Sequence, residues 1–111
     1  MSFQILNNGQ ALTIGELNKE AAAFWNVEPS DYYAAPKGFH WSSNWFQYVG
    51  GTIAQMPKGE YEWADIIGNL CGIAAIGKTS FSAVLDSIKC YAPFIELCLY
   101  WKAKGYTPIS Y

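Results

Sequence analysis

Residues 72–79 read GIAAIGKT, which sets Gly72, Gly77, Lys78 and Thr79 at the spacing of a phosphate-binding loop, G-x-x-x-x-G-K-[ST]. In such a loop, backbone N–H groups and a helix N-terminus cradle the phosphates, while the lysine reaches the outer phosphates and the hydroxyl holds Mg²⁺. That chemistry requires a buried strand before the loop and a parallel sheet around it. Residues 60–75 instead place Trp63, Ile66, Ile67, Leu70, Ile73 and Ala74 at helical spacing. Only 32 residues follow Thr79, too few to build the parallel strands. The stretch therefore reads as a helix end, a Gly77-Lys78 corner and a cap at Thr79 or Ser80. What survives is a generic anion site at the next helix start, made by Lys78, Thr79 and Ser80.

The other reactive residues are sparse. His40 is the single histidine, and Cys71, Cys90 and Cys98 are widely spaced. No spacing suits a metal, so no metal or cofactor is expected. Cys90 and Cys98, eight apart in one helix, are about 12 Å apart along its axis and cannot bridge. Buried, reduced thiols are the expectation, with Cys90 and Cys98 on or beside the buried faces of their helix. Glu60, Glu62 and Asp65 read as charges complementing a helix dipole rather than as general acids or bases. Nothing here names an enzyme.

Composition narrows the partners. The chain has 111 residues, 51% of them hydrophobic and 14% charged, with a net charge of −2. All seven basic residues are lysine. Without arginine or a basic run, nucleic acid is excluded as an expected partner. The longest apolar stretches carry Asn69 and Glu96 and fall short of a membrane span. The expectation is one domain over residues 1–111, soluble and cytoplasmic.

The elements read as follows. Phe3, Ile5 and Leu6, then Asn8-Gly9, suggest a small N-terminal β-hairpin, with the tail from Tyr106 as a further strand to pair with it. A Thr13-x-x-Glu16 capping box opens a helix over 14–25. A connection with Pro29, Pro36 and Gly38 follows. A second helix runs from Ser42-Ser43-Asn44 to Pro57, with Trp45, Val49, Ile53 and Met56 on one face and Gly50-Gly51 in its middle. The third helix covers 60–75, with Gly68 and Gly72 placed for close helix packing. The fourth, 81–104, shows one solvent stripe (Ser82, Asp86, Lys89, Pro93, Glu96, Tyr100) and is otherwise apolar, so it is expected to be central and kinked at Pro93. The fold class expected is mainly α: about four helices round a kinked C-terminal helix.

Aromatic density is the unusual feature. Residues 24–48 hold nine Phe, Tyr or Trp residues, within which lies a long connection of the kind that often carries function. Trp25 and Phe46 continue helical faces and read as structural. Tyr32, Tyr33, His40, Trp41, Trp45 and Tyr48 read as a binding surface. The expected function is a non-catalytic protein–protein interaction module, of the class that includes small inhibitors, immunity proteins and phage accessory proteins. The alternatives are an aromatic-lined pocket for a small, anionic or nucleotide-like ligand, and self-association.

Overall fold

The computed structural model describes residues 2–30, 33–39 and 43–111. The chain begins as β1 (Phe3–Asn7), turns through Asn8 and Gly9, and returns as β2 (Gln10–Ala11). Both turn residues hold positive φ, the twist that a two-residue hairpin needs. Thr13 caps α1 (Ile14–Trp25): its hydroxyl accepts the Glu16 N–H and donates to the Glu16 carboxylate. Asn26, at φ 54°, ends that helix in the left-handed region.

Beyond the connection, Trp45 leads into a π-helical stretch, Phe46–Gly50, which continues directly as α2 (Gly51–Gln55). Asn44 caps it, its side chain accepting the Gln47 N–H. The expected face is present, since Trp45, Val49, Ile53 and Met56 are all buried. Gly50 is required here: a Cβ on it would stand 2.5 Å from the Phe3 ring. The chain then passes through β3 (Gly59–Glu60), α3 (Trp63–Ala75), α4 (Phe81–Ala103) and β4 (Thr107–Ser110).

The tail does return to the N-terminal hairpin. β4 pairs antiparallel with β1, Phe3 opposite Ser110 and Ile5 opposite Pro108, and β3 adds to its other edge, so the order is β2-β1-β4-β3. The protein is therefore α+β, with a four-stranded antiparallel sheet, and not the mainly α bundle its sequence suggests. Glu60, placed by periodicity at the head of α3, pairs with Ile109 instead. A strand of two residues is too short to display alternation, so only the long-range pairing exposes β3.

Two further expectations fail. α4 is not central along its length: its buried residues are Phe94, Leu97, Cys98 and Trp101, and none of residues 81–90 is buried. α3 and α4 instead form an antiparallel hairpin whose tip, residues 76–82, is exposed throughout. An apolar composition says that a helix wants a neighbour, not that the fold supplies one. Pro93 lies inside α4, which runs through it as one helix. Nor are Gly68 and Gly72 close-packing sites, because no atom lies within 4 Å of where their Cβ would be.

The core gathers on Trp45, which meets Trp101 edge-on at 5.6 Å and Phe3 at 6.2 Å. Its indole N–H donates to Asn18 Oδ1 at 2.9 Å, and Asn18 Nδ2 donates to the Ser30 carbonyl at 3.1 Å. Trp63 donates to the Tyr106 carbonyl, and Ser110 Oγ to that of Met56. On α1, Glu20 accepts from Trp101 Nε1, Lys104 Nζ at 2.9 Å and the Tyr106 hydroxyl at 2.7 Å.

The Glu20 cluster sets an alkaline limit. The hydrogen bond to Glu20 raises the Lys104 ammonium above its ordinary value of 10.5, and burial first, then the same carboxylate, raises the Tyr106 hydroxyl above 10.0. The fold thus holds both protons longer than the unfolded chain does, so the stability this cluster supplies is complete below about pH 10 and falls as pH rises beyond it. Thermal melts across pH 7–11 should be flat at first, begin to decline above about pH 9, where the unfolded chain loses the proton that the buried Cys98 thiol keeps, and fall faster above about pH 10. Glu20→Gln should shrink that decline and cost about 1–3 kcal/mol at neutral pH.

Candidate functional site

The phosphate-loop letters fall on the tip of the α3–α4 hairpin. Gly72 lies within α3, so a helix stands where the buried strand would be required. Gly77 turns the corner at φ 75°, and the Lys78 N–H donates to the Ala75 carbonyl. Ser80 is the cap of α4, its Oγ accepting the Ala83 N–H at 3.1 Å. Lys78, Thr79 and Ser80 are exposed around an ordinary helix start that the protein caps for itself. They form no cradle.

The thiols are separated by environment. Cys98 is fully buried, and burial pushes its thiol up to about 12. Cys71 is half-buried, while Cys90, expected near a buried face, is exposed. Its position on α4 is far enough toward the tip that the core does not reach it. His40 lies outside the described residues. Among the described residues no group of three or more His, Cys, Asp or Glu is placed to hold a metal ion. The Glu20 cluster was invisible in the sequence, because its members lie more than 80 residues apart. Three donors converge on that one carboxylate, and Lys104 also lies over the Tyr100 and Tyr106 rings. It is an anchor between α1 and the end of α4.

The aromatic segment divides into interior and surface. Trp45 has no exposed surface and a satisfied N–H, so it supports the segment from beneath rather than meeting a partner. Tyr48 is half-buried, stacked on Phe94 at 4.7 Å and edge-on to Tyr91 at 5.4 Å. Tyr33 is exposed, with its edge on Phe46 at 5.4 Å. Tyr32 and Trp41, like His40, lie outside the described residues. Phe39, not among the residues expected at the binding surface, is exposed beside Phe94. Phe46 is half-exposed between Phe3, Tyr33 and Trp45.

These side chains wall a run of three open clefts. The first, about 280 Å³, lies between Phe3, Ile14, Phe46, Gly51 and Tyr111. The second, about 390 Å³, shares Phe46 and Gly51 with it and adds Tyr33, Asn44, Gln47 and Gln55. The third, about 180 Å³, shares Tyr33 and Asn44 with the second and ends at Pro36 and Phe39. Shared walls make one trough along the π-helical stretch. The bare backbone of Gly51 forms part of its floor, with no atom within 4 Å of where a Cβ would stand. Glycine pairs in sequence mark such a place only weakly, since they serve turns and bulges as readily.

Comparisons with family models, with curated proteins and with solved structures returned no match. Among the described residues no helix is long and apolar enough to cross a membrane. Function must therefore be read from the surface itself.

Two outcomes follow from the tip and the thiols. Millimolar MgATP should leave the melting temperature unchanged, and Lys78→Ala should keep the fold, because no phosphate cradle is built. Alkylation of the native protein at mildly alkaline pH should label Cys90 readily and spare Cys98 until the chain unfolds, as peptide mass mapping would show.

Proposed function

We propose that the protein is a non-catalytic interaction module that takes an extended segment of another polypeptide along the trough from Phe3 to Phe39. The single observation that carries this reading is continuity: three clefts joined through the shared walls Phe46 and Tyr33. Aromatic walls supply contact area at low entropic cost, and Gln47 and Gln55 on the rim offer donors and acceptors to a passing backbone. The rival, a pocket for a small molecule, is less well supported. Such sites enclose roughly 300–1,000 Å³ and cover most of the ligand, whereas these clefts are shallow and open to solvent. Among the described residues no nucleophile, base and acid converge in the trough, so binding is the reading favoured over a reaction there.

Selection of a displayed peptide library on the whole protein tests the reading. Enriched peptides should carry aromatic or aliphatic side chains at alternate positions, and their NMR shift changes should map to Tyr33, Phe46, Gly51 and Gln55. Tyr33→Ala with Gln47→Glu should weaken capture by about tenfold or more, at about 1.4 kcal/mol per factor of ten. Both residues are exposed, so the melting temperature should hold within a few degrees. Shift changes confined to another face, or unchanged binding by the double variant, would refute the proposal.

A further inference from the structure

Between Phe81 and Leu99 the outer side of α4 carries an unbroken apolar seam. Phe81, Leu85, Ile88, Ala92, Ile95 and Leu99 succeed one another at intervals of four and three residues, the repeat by which one helix lies along another. The fold leaves the ends of this seam open. Phe81, Leu85 and Leu99 keep 79%, 41% and 49% of their surface in water, whereas Ile88, Ala92 and Ile95 between them are half-buried, Ile95 against the core. One flank of the seam carries Ser82, Lys89 and Glu96, seven apart and all exposed. On α3, Ala64, Gly68 and Gly72 recur every fourth residue, and the glycines relieve no crowding inside the molecule. They leave room for a close neighbour from outside.

We propose that a second copy of this chain covers the seam, α4 against α4, in an antiparallel homodimer. The chain carries the complement to each part of its own surface. With Lys89 set opposite Glu96 of the other copy, Ile88 meets Leu99 and Ala92 meets Ile95, each contact made twice about a two-fold axis. The same register brings Phe81 to the C-terminal end of α4 of the other copy. There a cleft of about 400 Å³ opens between the start of α3 and the end of α4, lined by Glu60, Glu62, Ala64, Lys102 and Tyr106 among others. The hairpin tip supplies what that cleft lacks: Phe81 and Ile76, the latter 72% exposed, with Lys78 as the tip's one charge. Two cleft carboxylates outnumber its single lysine, so the charges also favour this pairing. Seam and tip set Ile76, Phe81, Leu85 and Leu99 in water on each copy, so the two-fold pairing would cover eight exposed apolar side chains at once. This contact lies on α4 and is independent of the trough.

Sedimentation equilibrium on the whole protein, from low to high micromolar, tests the dimer. The expected result is a reversible monomer–dimer equilibrium. Lys89→Glu turns two attractive pairs into two repulsive ones and should weaken association about tenfold. Lys89→Glu combined with Glu96→Lys should restore it, which only a self-paired antiparallel register predicts. Phe81→Asp, at a site so exposed that circular dichroism should not change, should leave a monomer. A monomeric mass over the whole range would overturn the proposal. So would a dimer that Phe81→Asp leaves intact or that the double reversal fails to restore. Peptide binding in the trough is read separately, so either result can fail while the other stands.

Discussion

The hydrogen bond from the Trp45 indole to Asn18 governs the arrangement of the rest. Trp45 is completely enclosed, and an indole N–H enclosed without a partner costs about 1–3 kcal/mol. Asn18 removes that cost with its oxygen and, through its amide nitrogen, holds the Ser30 carbonyl, so one side chain joins α1 to the connection and to the π-helical stretch. The Trp45 ring in turn meets Trp101 on α4 and Phe3 on β1. Phe46, the shared wall of the trough, is the next residue in the chain. Its placement therefore follows from how Trp45 is seated.

Other tryptophans repeat the device at the edges of the core. Trp101 reaches Glu20 and Trp63 reaches the Tyr106 carbonyl, so large apolar rings are fixed in orientation by one polar atom each. This fits a chain with few charges. Specific geometry comes from indole and amide groups and from the one carboxylate of Glu20, while Lys78, Lys89, Glu60 and Glu96 are exposed.

How much of this was legible in the sequence depended on range. Local signals were read well: the Thr13 cap, the Asn8-Gly9 turn, the end of α1 at Asn26, and the face Trp45, Val49, Ile53, Met56 each depend on neighbours within a few residues. The extent of the sheet was not, because β3 shows two residues and no alternation, and only Ile109 reveals Glu60 as a strand residue. α4 misled for a different reason. Periodicity reports which side chains are apolar, and it cannot tell a seam covered by the fold from one left open. Of the segment chosen for binding, Tyr33 stands at the surface and Trp45 does not, a distinction that aromatic content cannot make. Phe46 continues a helical face, which marks it as structural, yet it also walls the trough. The Glu20 anchor had no local signature at all.

The pairing of β1 with β4 bears on how the protein is made. Phe3 finds its partner in Ser110, so the central strand pair of the sheet cannot form until synthesis has passed Ser110 and that segment has left the ribosome. α1 and the α3–α4 hairpin depend on nearer contacts and are able to form beforehand. Until then β1 and its Phe3 ring wait without the strand they need, and Gly50 waits for the ring that fills the space beside it. Closure of the sheet is thus a late step, and the interval before it is when the chain has most need of a chaperone.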